Sequence, residues 1–127
     1  MSSKKYIKMI SMKWLILILG ILSNASASVL IKVAMSSKEA PIQLSNPLSI
    51  IGNLPLVSGI ALYGMAFILY ALALTYLPLN IAHPILTSGS IALVSSASVL
   101  LFGENLSIIN VAGIFFIIIG VWALTVN

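Results

Sequence analysis

The chain of 127 residues is 61% hydrophobic and only 6% charged, with six lysines, two acids, one histidine and no cysteine. Soluble domains carry about a quarter charged residues, so this composition indicates a membrane protein, and its length indicates one domain over residues 1–127. Disulfides and thiolate metal sites are excluded, and one histidine with two acids leaves too few ligands for a metal centre. We therefore expect no metal, no cofactor and no enzymatic activity.

Four apolar segments follow one another along the chain. At 1.5 Å per residue, each is long enough to cross a hydrocarbon core of about 30 Å as a helix. Because a backbone in lipid must satisfy its own hydrogen bonds, the sequence predicts an all-α membrane protein, a bundle of four transmembrane helices. Pro78 alone separates segments two and three, and a short loop containing the acid Glu104 joins three and four, so both pairs are expected to be antiparallel. The expected spans are about residues 14–35, 57–77, 79–102 and 108–126.

The lysines set the expected orientation. Four of the six precede the first apolar segment, which predicts cytoplasmic N- and C-termini in the inner membrane. Membrane lipids, rather than nucleic acid, are the expected partners of this charge. Two alternatives remain open from the sequence alone. The run that ends in Ala25-Ser26-Ala27 also has the form of a cleavable signal peptide, and Met9 or Met12 are alternative starts.

Polar side chains inside a membrane span are candidates for function because they are costly there. In the first span, Asn24 lies on one face with Gly20 and Ser28. This face is either a close-packing surface of small residues or the wall of a pocket in which the Asn24 amide binds a polar ligand. Lys32, near the far end of the same span, either reaches to the lipid headgroups or holds an anion such as a phosphate.

The second and third spans supply the other candidate binding residues. Tyr63 and Tyr70 lie seven residues apart on one helical face, and a buried phenol usually finds a hydrogen-bond partner. His83 and Thr87 follow in the third span, with Pro84 between them as the expected site of a bend. A histidine can change its charge near neutral pH, so His83 is also the candidate for a proton-coupled mechanism.

Gly113 and Gly120 lie seven residues apart in the fourth span, among large apolar side chains. Small residues at this spacing are typical of a helix–helix contact in lipid, and we expect Gly113 and Gly120 to form a dimer contact. Four helices are too few to enclose a passage alone, so we expect a homodimer or a heterodimer with a paralogous four-helix subunit. The one-sided lysines favour a single orientation over a dual-orientation homodimer.

Two stretches of the chain carry a family resemblance. The sequence from Ala73 to Leu86, with its Leu-Pro turn and then Ile-Ala-His-Pro, resembles the entry to the third helix in the drug/metabolite transporter superfamily. The Gly103-Glu104 pair, followed by Gly113 and Gly120, resembles the C-terminal part of the sequence pattern of the same superfamily. The length and the four helices are similar to the small multidrug resistance proteins and to the four-helix subunits that flip aminoarabinose linked to undecaprenyl phosphate.

The chain departs from the exporters within that group. Aligned on Lys32, the membrane glutamate with which small multidrug exporters exchange protons falls on Asn24, which cannot titrate. His83 replaces an aromatic residue, and Leu86 replaces a tryptophan. The flippase subunits also lack the glutamate, so the chain resembles them more closely.

The resemblance implies a transporter that flips a small amphipathic substrate, a lipid-linked sugar of the polyprenyl-phosphate type. The head group would be sheltered by Asn24, Tyr63, Tyr70, His83 and Thr87, while Lys32 would attract the phosphate. Two alternatives are a proton-coupled exporter of small cations or metabolites that acts through His83, and an accessory membrane subunit that transports nothing itself.

Overall fold

The computed structural model describes residues 2–37 and 42–126, and most of them are helical. Four α-helices are long and apolar enough to cross a membrane, which confirms the predicted four-helix membrane fold. The orientation of the termini stays a prediction. The helices are α1 (Ser3–Ser36), α2 (Leu54–Ala73), α3 (Leu79–Phe102) and α4 (Ile108–Thr125), and a short 3₁₀ helix covers Pro47–Ile50.

Helix α1 begins well before the expected span. Its 34 residues extend about 51 Å, against a hydrocarbon core of about 30 Å. Neither proline nor glycine precedes Gly20, so nothing in the sequence stops the helix at the membrane surface. The extra turns carry Lys4, Lys5 and Lys8 beyond the apolar part of the helix.

Helix α2 begins and ends earlier than the apolar pattern predicts. The Asn53 side chain accepts a hydrogen bond from the Leu56 backbone N–H and so caps the first turn. The apolar residues before it form the 3₁₀ helix and a turn rather than an extension of α2. The helix gives way to a turn after Ala73, and Pro78 becomes the N-cap of α3. A proline disfavours helical geometry in the residue before it, which separates the two helices.

Helix α1 lies between α2 and α3 and packs along both of them. Leu17, Ala73, Leu77 and Ala82 form a buried cluster near the connection between α2 and α3. Elsewhere α2 and α3 have little direct contact, and α4 packs mainly against α3 with no buried residue. Three helices therefore form the bundle, with a space between α2 and α3, while α4 leaves most of its surface uncovered.

The contact between α1 and α2 depends on Gly59. A Cβ atom at this position would lie 2.8 Å from Ile31 Cγ1 and 3.2 Å from the Ala27 carbonyl oxygen. We expect Gly59→Ala to lower the free energy of unfolding in detergent by about 1–3 kcal/mol, because backbone atoms must move to relieve the overlap. Gly64→Ala, in the same helix but with open space around it, is the matched control. Equal stability of the two variants would contradict this account of the packing.

Candidate substrate groove

Two adjoining cavities form a groove along α1; we call it the central groove. The first cavity lies between α2 and α3 with Asn24 of α1 at its floor, and the second lies between α1 and α3. Asn24 lines both cavities, so they meet at its side chain. The first cavity, of about 200 Å³, is lined by Asn24, Tyr63, Ala66, Phe67, Tyr70, His83 and Leu86. The second, of about 310 Å³, is lined by Asn24, Ser28, Thr87, Ser90, Ile91, Val94 and Ser95.

A chain of hydrogen bonds links the three helices at the middle of the central groove. The Asn24 amide donates from Nδ2 to Ser90 Oγ at 2.8 Å, which joins α1 to α3. The Ser28 hydroxyl donates to the backbone carbonyl oxygen of Asn24 at 3.1 Å. It also lies 2.7 Å from the Tyr63 hydroxyl, and this second bond joins α1 to α2. These side chains satisfy one another in lipid, and the Asn24 Oδ1 atom remains as an acceptor for a ligand.

Aromatic rings line the groove nearer the connection between α2 and α3. The rings of Tyr70 and His83 lie 5.7 Å apart in a tilted arrangement. His83 is exposed and Tyr70 is partly buried. This part of the groove offers a phenol, an imidazole and ring faces, which together suit a polar, uncharged group such as a sugar.

Lys32 lies in a third cavity, at the end of α1 that is farther from the N-terminal lysines. This outer cavity, of about 130 Å³, shares Ser28 and Val94 with the central groove. The Lys32 ammonium is 3.3 Å from Glu104 Oε1 and 6.0 Å from the centre of the Phe102 ring. Lys32 therefore sits beside the groove but is paired with an acid of the chain itself.

An apolar gap between α1 and α3 adjoins the outer cavity and shares Val29 with it. It has a volume of about 380 Å³ and is lined almost entirely by aliphatic side chains. The second cavity of the groove, the Lys32 ammonium and the apolar gap thus lie next to one another along α1 and α3. That combination matches the chemistry of an amphipathic ligand with a polar head, an anionic linkage and a hydrocarbon tail.

The structure distributes the residues singled out in the sequence over several places. Asn24, Tyr63, Tyr70 and His83 share one cavity, Thr87 lies in the adjoining one, and Lys32 meets Glu104 in the outer cavity. Helix α3 continues through Pro84, and the bend expected there stays a prediction. Gly113 and Gly120 of α4 face open space.

Sequence reasoning did not single out Ser90 or assign Ser28 a binding role. Ser28 could have been found from its position one turn after Asn24. Ser90 is one of several serines in α3, and only the packing of α1 against α3 distinguishes it. Among residues 2–37 and 42–126, no three His, Cys, Asp or Glu side chains come close enough to hold a metal ion.

A double-mutant cycle tests the bond between Asn24 and Ser90. We expect Asn24→Ala and Ser90→Ala to show a coupling energy of about 0.6 kcal/mol in the free energy of unfolding, the average for interhelical hydrogen bonds in lipid, and at most about 1.7 kcal/mol. The cycle of Asn24→Ala with Ser96→Ala is the control, because the Ser96 hydroxyl bonds only to the Ala92 carbonyl of its own helix. Coupling no larger than in this control would show that the two side chains do not interact.

Comparison with known proteins identifies three similar proteins with one description, "Probable 4-amino-4-deoxy-L-arabinose-phosphoundecaprenol flippase subunit ArnF". The protein from Serratia proteamaculans (strain 568) is 43% identical over 74 residues, which cover 54% of this chain and 56% of the relative. The one from Yersinia enterocolitica is 33% identical over 67 residues, covering 52% of each chain. The one from Photorhabdus laumondii is 30% identical over 70 residues, covering 54% of this chain and 56% of the relative.

The chain thus spans about half the length of the curated relatives it matches. No family model and no solved structure matches it. The four apolar helices and these relatives together describe a multi-pass protein of the inner membrane. Over about half its length, the chain is similar to flippase subunits for a lipid-linked amino sugar, as the sequence motifs predicted.

Proposed function

We propose that the chain is one subunit of a transporter that flips an amphipathic lipid-linked sugar, of the polyprenyl-phosphate type, across the inner membrane. The observation that carries the proposal is the hydrogen-bonded Asn24 amide on the floor of a groove in a protein that has no acid within its spans. Such a groove can shelter a hydroxyl-rich head group from lipid through hydrogen bonds, and its hydroxyl and amide oxygens can accept hydrogen bonds from a sugar's hydroxyl or amino groups.

The described cavities support a binding role for each part of such a ligand. The sugar would contact Asn24, Tyr63, Tyr70, His83 and Thr87 in the central groove. Lys32 would hold the phosphate in the outer cavity, and the tail would lie in the apolar gap or in the surrounding lipid. The relatives support this choice of substrate, since they are described as flippase subunits for 4-amino-4-deoxy-L-arabinose-phosphoundecaprenol.

A second subunit fits the uncovered surface of α4. The relatives are described as subunits, and α4 has no buried residue within the chain. Gly113 and Gly120 would allow another helix to approach closely, because nothing lies within 4 Å of a Cβ atom built on either one. We propose a dimer through this helix, with a paralogous four-helix chain or with a second copy.

The other two functions have less support. The similarity to flippase subunits does not favour a proton-coupled exporter or a non-transporting accessory subunit. The exporter would depend on His83 alone, since Asn24 occupies the position at which the related exporters carry an acid. In the structure the His83 ring contacts Tyr70 at the exposed edge of the groove and has no acid beside it among the described residues.

Surface labelling of the lipid-linked sugar tests the proposal. The chain would be expressed, alone and with a four-helix partner, in a strain that makes the aminoarabinose lipid but lacks its own flippase. A membrane-impermeant amine reagent then labels only the lipid that has reached the outer leaflet. We expect labelling to depend on the chain and to fall about tenfold in Asn24→Leu, which leaves the groove without its amide.

Asn80→Leu is the matched control, because Asn80 is an exposed amide at the start of α3 that lines neither cavity of the groove. Equal amounts of each variant in the membrane must be verified by immunoblot. Equal labelling with and without the chain, in the presence of the partner, would overturn the proposed function. Labelling by the chain alone would show that a second gene product is not required.

A further inference from the structure

The ion pair between Lys32 and Glu104 ties the end of α1 to the turn between α3 and α4. The two atoms are 3.3 Å apart, and the side chains are 52% and 47% exposed. The pair lies at the outer cavity, where Phe102 also contacts the ammonium group. It therefore occupies the place at which the proposed function puts the phosphate of the ligand.

Among the residues that the structure describes, Lys32 is the one group in the outer cavity that can bind an anion strongly. The Ser98 hydroxyl donates to the Ser95 carbonyl, and the Ser28 hydroxyl is engaged with Asn24 and Tyr63. No other described residue that lines the cavity carries a positive charge. Glu104 and an incoming phosphate must therefore compete for the same ammonium group.

Glu104 is held in place by the backbone rather than by a loose loop. Gly103 has a left-handed conformation with φ of 64°, and ends α3. The Glu104 backbone N–H donates to the Ser98 carbonyl oxygen at 3.1 Å, which closes the cap of the helix. The cap fixes the Cα atom of Glu104 next to the outer cavity, so the carboxylate reaches Lys32 without a change in the turn.

Half-exposed ion pairs are weak and are readily replaced. A phosphate carries at least as much negative charge as a carboxylate and forms strong hydrogen bonds with an ammonium group. A pair this exposed is not strong enough to exclude such a ligand. A buried pair would not permit this exchange, because breaking it would leave an uncompensated charge.

We propose that Glu104 takes the place of the ligand's phosphate on Lys32 while the groove is empty, and that ligand binding exchanges one anion for the other. The exchange releases the end of α1 from the α3–α4 turn and opens the outer cavity. Glu104 would thus set the affinity for phosphate and keep lone anions of low affinity off Lys32. This inference rests on the proposed function, since it requires Lys32 to bind a phosphate.

Binding of farnesyl phosphate tests the exchange. Its affinity for the full chain in detergent would be measured by titration calorimetry, with farnesol as the uncharged analogue and inorganic phosphate as the free anion. We expect Glu104→Gln to bind farnesyl phosphate at least about threefold more tightly than the unaltered chain, because no internal anion competes. Lys32→Met should bind it about tenfold more weakly.

The double variant Lys32→Met/Glu104→Gln should bind like Lys32→Met, because Glu104 acts only through Lys32. Farnesol should bind all four proteins equally, which also shows that the variants are folded. Binding of inorganic phosphate with the same response to Glu104→Gln would support the exchange and assign the site to free phosphate as well as to the lipid.

Two negative results have different meanings. If Lys32→Met weakens binding but Glu104→Gln changes nothing, the exchange is wrong and the phosphate role of Lys32 stands. If neither substitution changes binding and farnesol binds as tightly as farnesyl phosphate, Lys32 does not hold the phosphate, and both the exchange and that part of the proposed function fail.

Discussion

The constraint that governs this protein is the cost of placing polar groups in lipid. No Lys, Arg, Asp or Glu occurs between residues 40 and 103 or after Glu104, so the interior of the bundle depends on neutral dipoles. Those dipoles are joined to one another: no buried side-chain nitrogen or oxygen among the described residues lacks a hydrogen-bond partner. In such a groove the hydroxyl and amide groups of a ligand can replace the hydrogen bonds that these side chains make to one another. This exchange does not require a charged side chain to be placed in lipid.

The arrangement of the helices follows from small residues as much as from large ones. Gly59 and Ala27 let α2 approach α1 closely, while Gly20 and Gly89 do the same where α1 crosses α3. Because α1 takes up the contacts of both neighbours, α2 and α3 are left apart beyond their connection, and the first cavity of the central groove is the space that remains.

Much of the fold could be predicted from the sequence, because apolar length alone defines four helices. The start of α1 could not be predicted, because hydropathy does not reveal that a helix continues through charged residues beyond its apolar part. The start of α2 could not be predicted either, because hydropathy does not reveal the Asn53 cap. Within the site, helical periodicity places Asn24 beside Ser28 in the first span. It also places Tyr63 and Tyr70 on one face of the second span. It cannot show that Ser90 meets Asn24 or that Glu104 meets Lys32, because the members of each pair lie in different segments of the chain and meet only through tertiary packing.

The central claim is that the sugar head group passes through the central groove, and photo-crosslinking tests it most directly. A photoreactive phenylalanine analogue would replace Phe67, which lines the groove, or Phe115, which lies on α4 away from it. Both side chains are more than half exposed, so the two positions differ in their place relative to the groove and not in exposure. Irradiation of membranes that contain radiolabelled aminoarabinose lipid should label the chain from position 67 at several times the level from position 115. Equal labelling from both positions, or labelling from position 115 alone, would contradict a path between α2 and α3.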